Sequence, residues 1–148
     1  MDIKKSNLQE IKTIPLKIIP TLNGSVLHAL KSSEESFFKF GEAYFSFINS
    51  GEIKGWKRHK LMTLNLIVPV GEIRFVIFDN RSKALNRGKF IEIILSKSNY
   101  QRLSVPPMTW MAFQGIGKKE NMLLNIANLE HNKEEVEEKN LREIPFKW

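Results

Sequence analysis

Three histidines and no cysteine supply the side chains suited to proton chemistry near neutral pH in this 148-residue chain. His59 stands apart because of its company in Lys54-Gly55-Trp56-Lys57-Arg58-His59-Lys60. Residues two apart on a β-strand point to one face, so Lys57 and His59 share a side. An imidazole has an ordinary pKa of about 6.5 and suits a general base, and an ammonium beside it suits the stabilisation of developing negative charge. A lysine at its ordinary pKa of about 10.4 is a poor base unless burial depresses it. An ionisable pair inside a strand needs partners or a ligand, which lifts His59 above an ordinary polar residue. His28, in SVLHAL, reads as structural. His131 opens a polar segment where loop residues often serve only as caps.

Those residues need a scaffold, and the rest of the chain offers strands. LNLIVPV at 64–70 and EIRFVIFD at 72–79 are β-branched and aromatic runs hinged at Gly71. Turn residues at 79–82 and 86–88 precede a further run, KFIEIILS at 89–96. QRLSV at 101–105, WMAFQG at 110–115 and NMLLNIAN at 121–128 follow, with SVLHAL at 25–30, AYFSFI at 43–48 and a strand-forming segment at 14–20 upstream. Short strands at roughly 8–12-residue spacing with turns between them predict a sandwich or barrel rather than βαβ units. A helix is expected only over NKEEVEEKN at 132–140, with a short turn at 6–12, and the final IPFKW reads as an apolar segment returning to the barrel.

Composition narrows the function. At 42% hydrophobic and 10% aromatic the chain has enough apolar content for one core. A net charge of +7 favours an anionic partner such as a nucleotide. The basic cluster at 54–60 is short and is matched by an acidic patch of Glu130, Glu134, Glu135, Glu137 and Glu138, so the long basic stripe of a nucleic-acid binder is not what is expected here. There is no run of eighteen apolar residues, and the apolar stretch at 14–19 is broken by Pro15 and Lys17, so neither a membrane span nor a signal-peptide core is expected. Absence of cysteine fits a reducing compartment, and a soluble cytoplasmic protein is the expectation.

The stretch from Lys54 to Asp79, KGWKRHKLMTLNLIVPVGEIRFVIFD, resembles the first half of the nucleotide-sugar cupins, the dTDP-4-dehydrorhamnose 3,5-epimerases and the related dTDP-4-keto-6-deoxyhexose 3,4-ketoisomerases. The epimerases carry R-G-x-H, then a hydrophobic strand, a glycine and a strand ending in Asp; Lys54-Gly55-Trp56-Lys57, Gly71 and Asp79 match in position. The ketoisomerases carry R-G-x-H-x-H-K, whose second histidine matches His59. Val105-Pro106-Pro107 with Trp110-Met111-Ala112-Phe113 is similar to the family's V-P-P-G-x-x-H-G-F, residues 131–134 resemble its Y-D-P-E segment, and Phe146-Lys147-Trp148 its terminal I-x-W.

The resemblance implies an all-β, cupin-like double-stranded β-helix, or jelly roll, with minor short helices. It implies one domain over 1–148, with an arm at 1–24, a barrel core at 25–131 and a tail at 132–148. The metal-binding cupin ligand positions hold Lys57, His59, Leu64 and Met111, a set that leaves one usable donor, so no metal and no cofactor is expected. The implied activity is epimerisation or isomerisation of a nucleotide-linked 4-keto-6-deoxy sugar in surface-polysaccharide biosynthesis. Lys57 stands at the family's base position, His59 is the better base with Lys57 beside the enolate, and His131 falls at the position of the family's acid, a tyrosine. Lys54 is expected to hold the diphosphate, Tyr44 and Glu42 to lie on a substrate-contacting strand, and Trp110 to stack on the base. A homodimer is expected as well. The alternative is a cupin that keeps the sugar-nucleotide pocket and has lost turnover, since both the family's first histidine and its tyrosine are replaced.

Overall fold

The computed structural model describes residues 8–148 and contains twelve strands among them. They are β1 (Lys12–Pro15), β2 (Ile18–Ile19), β3 (Val26–Leu27), β4 (Glu42–Phe47), β5 (Ile53–His59), β6 (Leu64–Val70), β7 (Glu72–Asp79), β8 (Lys89–Ser96), β9 (Gln101–Val105), β10 (Trp110–Gly115), β11 (Met122–Ala127) and β12 (Val136–Lys139). Two five-stranded sheets, β1-β9-β6-β11-β4 and β12-β5-β10-β7-β8, are antiparallel throughout and face each other as a jelly roll. Among the described residues no helix is long and apolar enough to cross a membrane.

Period-two alternation builds the core. Leu64, Leu66 and Val68 of β6 and Ile73, Phe75 and Ile77 of β7 turn their side chains into the space between the sheets, where they join Leu103, Val105 and Leu123. Gly71 joins β6 to β7 with φ +78°, and a Cβ there would sit 2.3 Å from Asn121 Oδ1. That oxygen accepts the Glu72 amide at 2.9 Å, so the turn needs a residue without a side chain.

The outward residues of the second sheet form another core. Trp56, Val76, Trp110 and Ala112 are covered by Ile144, with Leu141, Phe146 and Trp148 packed alongside, so the IPFKW segment does return to the barrel. Fully buried Trp56 meets Trp148 with ring centroids 6.2 Å apart.

Two expectations change. Residues 132–140 form no α-helix: a short 3-10 turn, Lys133–Glu135, leads directly into β12. The acidic strand pairs antiparallel with basic β5, Glu137 opposite Arg58 and Glu138 opposite Lys57, and that tertiary match overrides helix propensity. The strand expected over 25–30 shrinks to β3, which pairs only with β2. Of the turn expected at 6–12, residues 6 and 7 lie outside the described residues, residues 8–11 form no regular element, and Lys12 begins β1, paired to β9.

Candidate active site

A cavity of about 410 Å³ opens between the sheets. On β5, Gly55, Lys57 and His59 face it, while Trp56 and Arg58 face the outer side. Leu64 and Leu66 of β6, Met111 and Phe113 of β10 and Leu123 of β11 make its apolar part; Tyr44, Ser46, Lys54 and Thr109 add polar groups.

His59 is held from behind. Its Nδ1 is hydrogen-bonded to Glu135 Oε1, and the two side chains are 15% and 9% exposed. The other carboxylate oxygen accepts the amides of Leu61 at 3.0 Å and Met62 at 3.1 Å. Burial pushes the Glu135 carboxyl upward, but the hydrogen bonds from His59, Leu61 and Met62 outweigh it and hold the group below the ordinary 4.5. A carboxylate can only accept, so Nδ1 carries the hydrogen and Nε2 is the nitrogen left with a lone pair. The Met108 amide donates to the His59 carbonyl at 2.7 Å, fixing the strand end from the Pro106-Pro107 turn, where Met108 has φ +66°.

The other expected site residues divide. Lys57 lies on the cavity wall with its ammonium 3.7 Å from Glu138, both side chains well exposed, so that pair is weak and leaves the cation available. Lys54 also lines the cavity, but its ammonium donates to Ser46 Oγ at 3.0 Å and the Phe47 carbonyl at 2.8 Å, tying β5 to β4. Tyr44 faces the cavity from β4 and accepts a hydrogen bond from Asn125 Nδ2 at 3.1 Å.

Glu42 begins β4 opposite Ala127 and is not among the cavity-lining residues. Trp110 points the other way: β10 alternation puts Met111 on the cavity and Trp110 in the outer core, beneath Arg58 at 4.8 Å and Lys139 at 4.9 Å. His131 is exposed and does not line the cavity. Sequence reasoning missed Glu135, reading it as part of an acidic surface patch. The signal was there in the basic 54–60 and acidic 134–138 runs, which zip together with His59 on Glu135, Arg58 on Glu137 and Lys57 on Glu138.

The four positions at which metal-binding cupins place ligands, Lys57, His59, Leu64 and Met111, all line this cavity. One imidazole with an ammonium, an isobutyl group and a thioether does not fit a divalent ion, and no cluster of three acidic, histidine or cysteine side chains occurs among the described residues. Fold and site together define a jelly-roll protein whose cavity is equipped for proton transfer by a carboxylate-oriented imidazole.

Comparison with known proteins gives that class a family. The structure matches a crystal structure of a dTDP sugar isomerase from Desulfovibrio desulfuricans G20 with 35% sequence identity and a TM-score of 0.89, over 93% of this chain and 90% of that one. The dTDP-4-dehydrorhamnose 3,5-epimerase of Sulfolobus tokodaii superposes at TM-score 0.80 with 21% identity, over 96% of this chain and 84% of that one. The Legionella pneumophila dTDP-6-deoxy-D-glucose-3,5-epimerase, solved in complex with dTDP-4-keto-L-rhamnose, superposes at 0.77 with 18% identity, over 90% and 74%. These last two establish the shared fold. No protein-family model and no curated protein matches the sequence. The chain belongs to the dTDP-sugar isomerase family, and the jelly roll and the isomerase class expected from the sequence both stand.

Proposed function

We propose that this protein isomerises a dTDP-linked 4-keto-6-deoxy sugar by proton transfer at carbon next to the ketone. The observation that carries the reading is the His59–Glu135 pair, which leaves Nε2 as a base on the cavity wall. His59 removes the carbon-bound proton; Lys57, on the same face of β5, stabilises the enolate oxygen; Glu135 stabilises the imidazolium. Lys54 and its basic neighbours hold the diphosphate at the cavity rim. The reaction belongs to surface-polysaccharide biosynthesis in the cytoplasm.

The protein works as a homodimer. β4 is an edge strand with Phe45 62% and Phe47 51% exposed, and the β2–β3 hairpin presents Ile19 at 43% and Leu22 fully to solvent. Both are surfaces that a second copy would bury.

Replacement of the family's first histidine by Lys57 favours a second reading, a module that binds the sugar nucleotide without converting it. Calorimetric titration with a dTDP-linked 4-keto-6-deoxyhexose, followed by NMR of the recovered ligand, separates the two. Binding with conversion to a stereoisomer or a keto isomer supports the isomerase; binding with unchanged ligand supports the module; no binding overturns both.

A further inference from the structure

The outer face of the first sheet carries polar groups that the jelly roll does not use. On β9, Leu103 and Val105 point into the core, so Arg102 and Ser104 point outward; on β6, Leu64 and Leu66 point inward and Asn65 outward. Lys12 of β1 and Asn65 of β6 are both register partners of Ser104, so an ammonium, a hydroxyl and a carboxamide stand in one row across the sheet. Ser104 and Asn65 are only 5% and 7% exposed. Among the described residues the Ser104 hydroxyl and the Lys12 ammonium have no hydrogen-bond or ion-pair partner. Asn65 gives its Nδ2 to the Ile126 carbonyl at 3.2 Å and leaves Oδ1 unpaired. Polar groups left without partners in nearly buried positions are unfavourable, and a ligand that pairs with them removes that cost.

The row is the floor of a groove of about 420 Å³ whose sides are held in place. Fully buried Arg102 donates to the Ala29 carbonyl at 2.8 Å, to Glu34 Oε2 at 2.5 Å and to Ser36 Oγ at 2.8 Å. That guanidinium clamps residues 29–36 onto the sheet, where Glu35, Ser36 and Phe38 line the groove. Gln9 and Glu10 line it from the N-terminal side, with Gln9 Nε2 donating to Thr63 Oγ1 at 3.3 Å. Phe38 and Leu61, 84% and 67% exposed, add apolar surface together with Pro107.

We propose that this groove is a second ligand site and that it takes a neutral saccharide. Its charged groups are Lys12, Glu10 and Glu35, one cation against two carboxylates, a set that disfavours a phosphate or another anion. No group of three metal donors occurs there among the described residues. The groove offers hydrogen-bond donors and acceptors side by side, with exposed apolar faces beside them. A pyranose ring has that character, with hydroxyls around its edge and C–H groups on its faces. The site lies toward β1, at the opposite edge of the sheet from β4, and outside the space between the sheets into which His59 faces. It stands independently of the isomerase reading, and either can fail alone.

The test is saturation-transfer NMR on the full chain with the methyl α-glycosides of glucose, galactose, mannose and rhamnose, and with methyl phosphate as the anionic control. Saturation is expected to reach at least one glycoside and to persist when an excess of a dTDP-linked 4-keto-6-deoxyhexose is added. Ser104→Ala removes the floor hydroxyl and Phe38→Ala an exposed ring. Each is expected to raise the apparent Kd for that glycoside by about threefold or more while the protein stays folded by circular dichroism. Four results overturn the proposal: no glycoside is saturated, or the signal vanishes when the sugar nucleotide is added, which puts the glycoside in the cavity of His59; either variant keeps the wild-type Kd, or methyl phosphate is saturated more than every glycoside.

Discussion

His59 Nδ1, at the end of β5, is hydrogen-bonded to Oε1 of Glu135, the last residue of the 3-10 turn before β12, and the carboxylate is anchored in turn by two backbone amides. The pairing gives the imidazole one tautomer and one orientation. Glu135→Gln should therefore lower kcat by about 10- to 10²-fold with little change in KM, because it removes stabilisation that appears only when the imidazole is charged. Steady-state kinetics on the keto sugar nucleotide checks this.

The same carboxylate makes stability sensitive to acid. Its pKa is lower in the folded protein than its ordinary 4.5, so it contributes stability that is fully present above 4.5 and is lost as pH falls through the folded value. Urea midpoints of the wild type should drop as pH falls below about 4.5, and those of Glu135→Gln should drop less. At neutral pH the variant should be less stable by about 1–3 kcal/mol.

His131 faces solvent outside the cavity. His131→Ala should leave kcat and KM within about twofold of wild type, since surface changes remote from the chemistry have small effects. A loss of turnover in this variant would restore the acid's role to His131.

Two structural substitutions test the frame that holds the site. Gly71→Ala should cost at least about 1 kcal/mol, because φ is +78° and the new Cβ meets Asn121 Oδ1 at 2.3 Å. Trp56→Ala should cost about 3–5 kcal/mol by opening the outer core while leaving the cavity-facing side chains in place. Denaturant unfolding measures both.

The strands of the two sheets were legible where apolar periodicity was strong. LNLIVPV, EIRFVIFD, KFIEIILS, QRLSV and WMAFQG emerge as β6 to β10 with their expected limits. His59 and Lys57 on one face of β5 were legible for the same reason. Residues 132–140 were not, because a run of glutamates has helical propensity on its own and becomes a strand only beside the basic strand it neutralises. Glu135 was hidden by that reading: a glutamate that ends a 3-10 turn and enters the protein interior looks, in sequence, like its exposed neighbours. Which side Trp110 faces was not legible, because its register depends on β10 pairing with both β5 and β7, which is long-range information.

The most direct measurement of the account is deuterium incorporation at carbon beside the ketone, followed by NMR in D2O for wild type and His59→Asn. His59 is the cavity residue whose free nitrogen is defined by its partner, and asparagine keeps a polar group of similar size without a basic nitrogen. Wild type should exchange, and His59→Asn should exchange at least about 10²-fold more slowly while still binding the sugar nucleotide. Exchange by His59→Asn at the wild-type rate would contradict the account and hand the base to another group on the cavity wall.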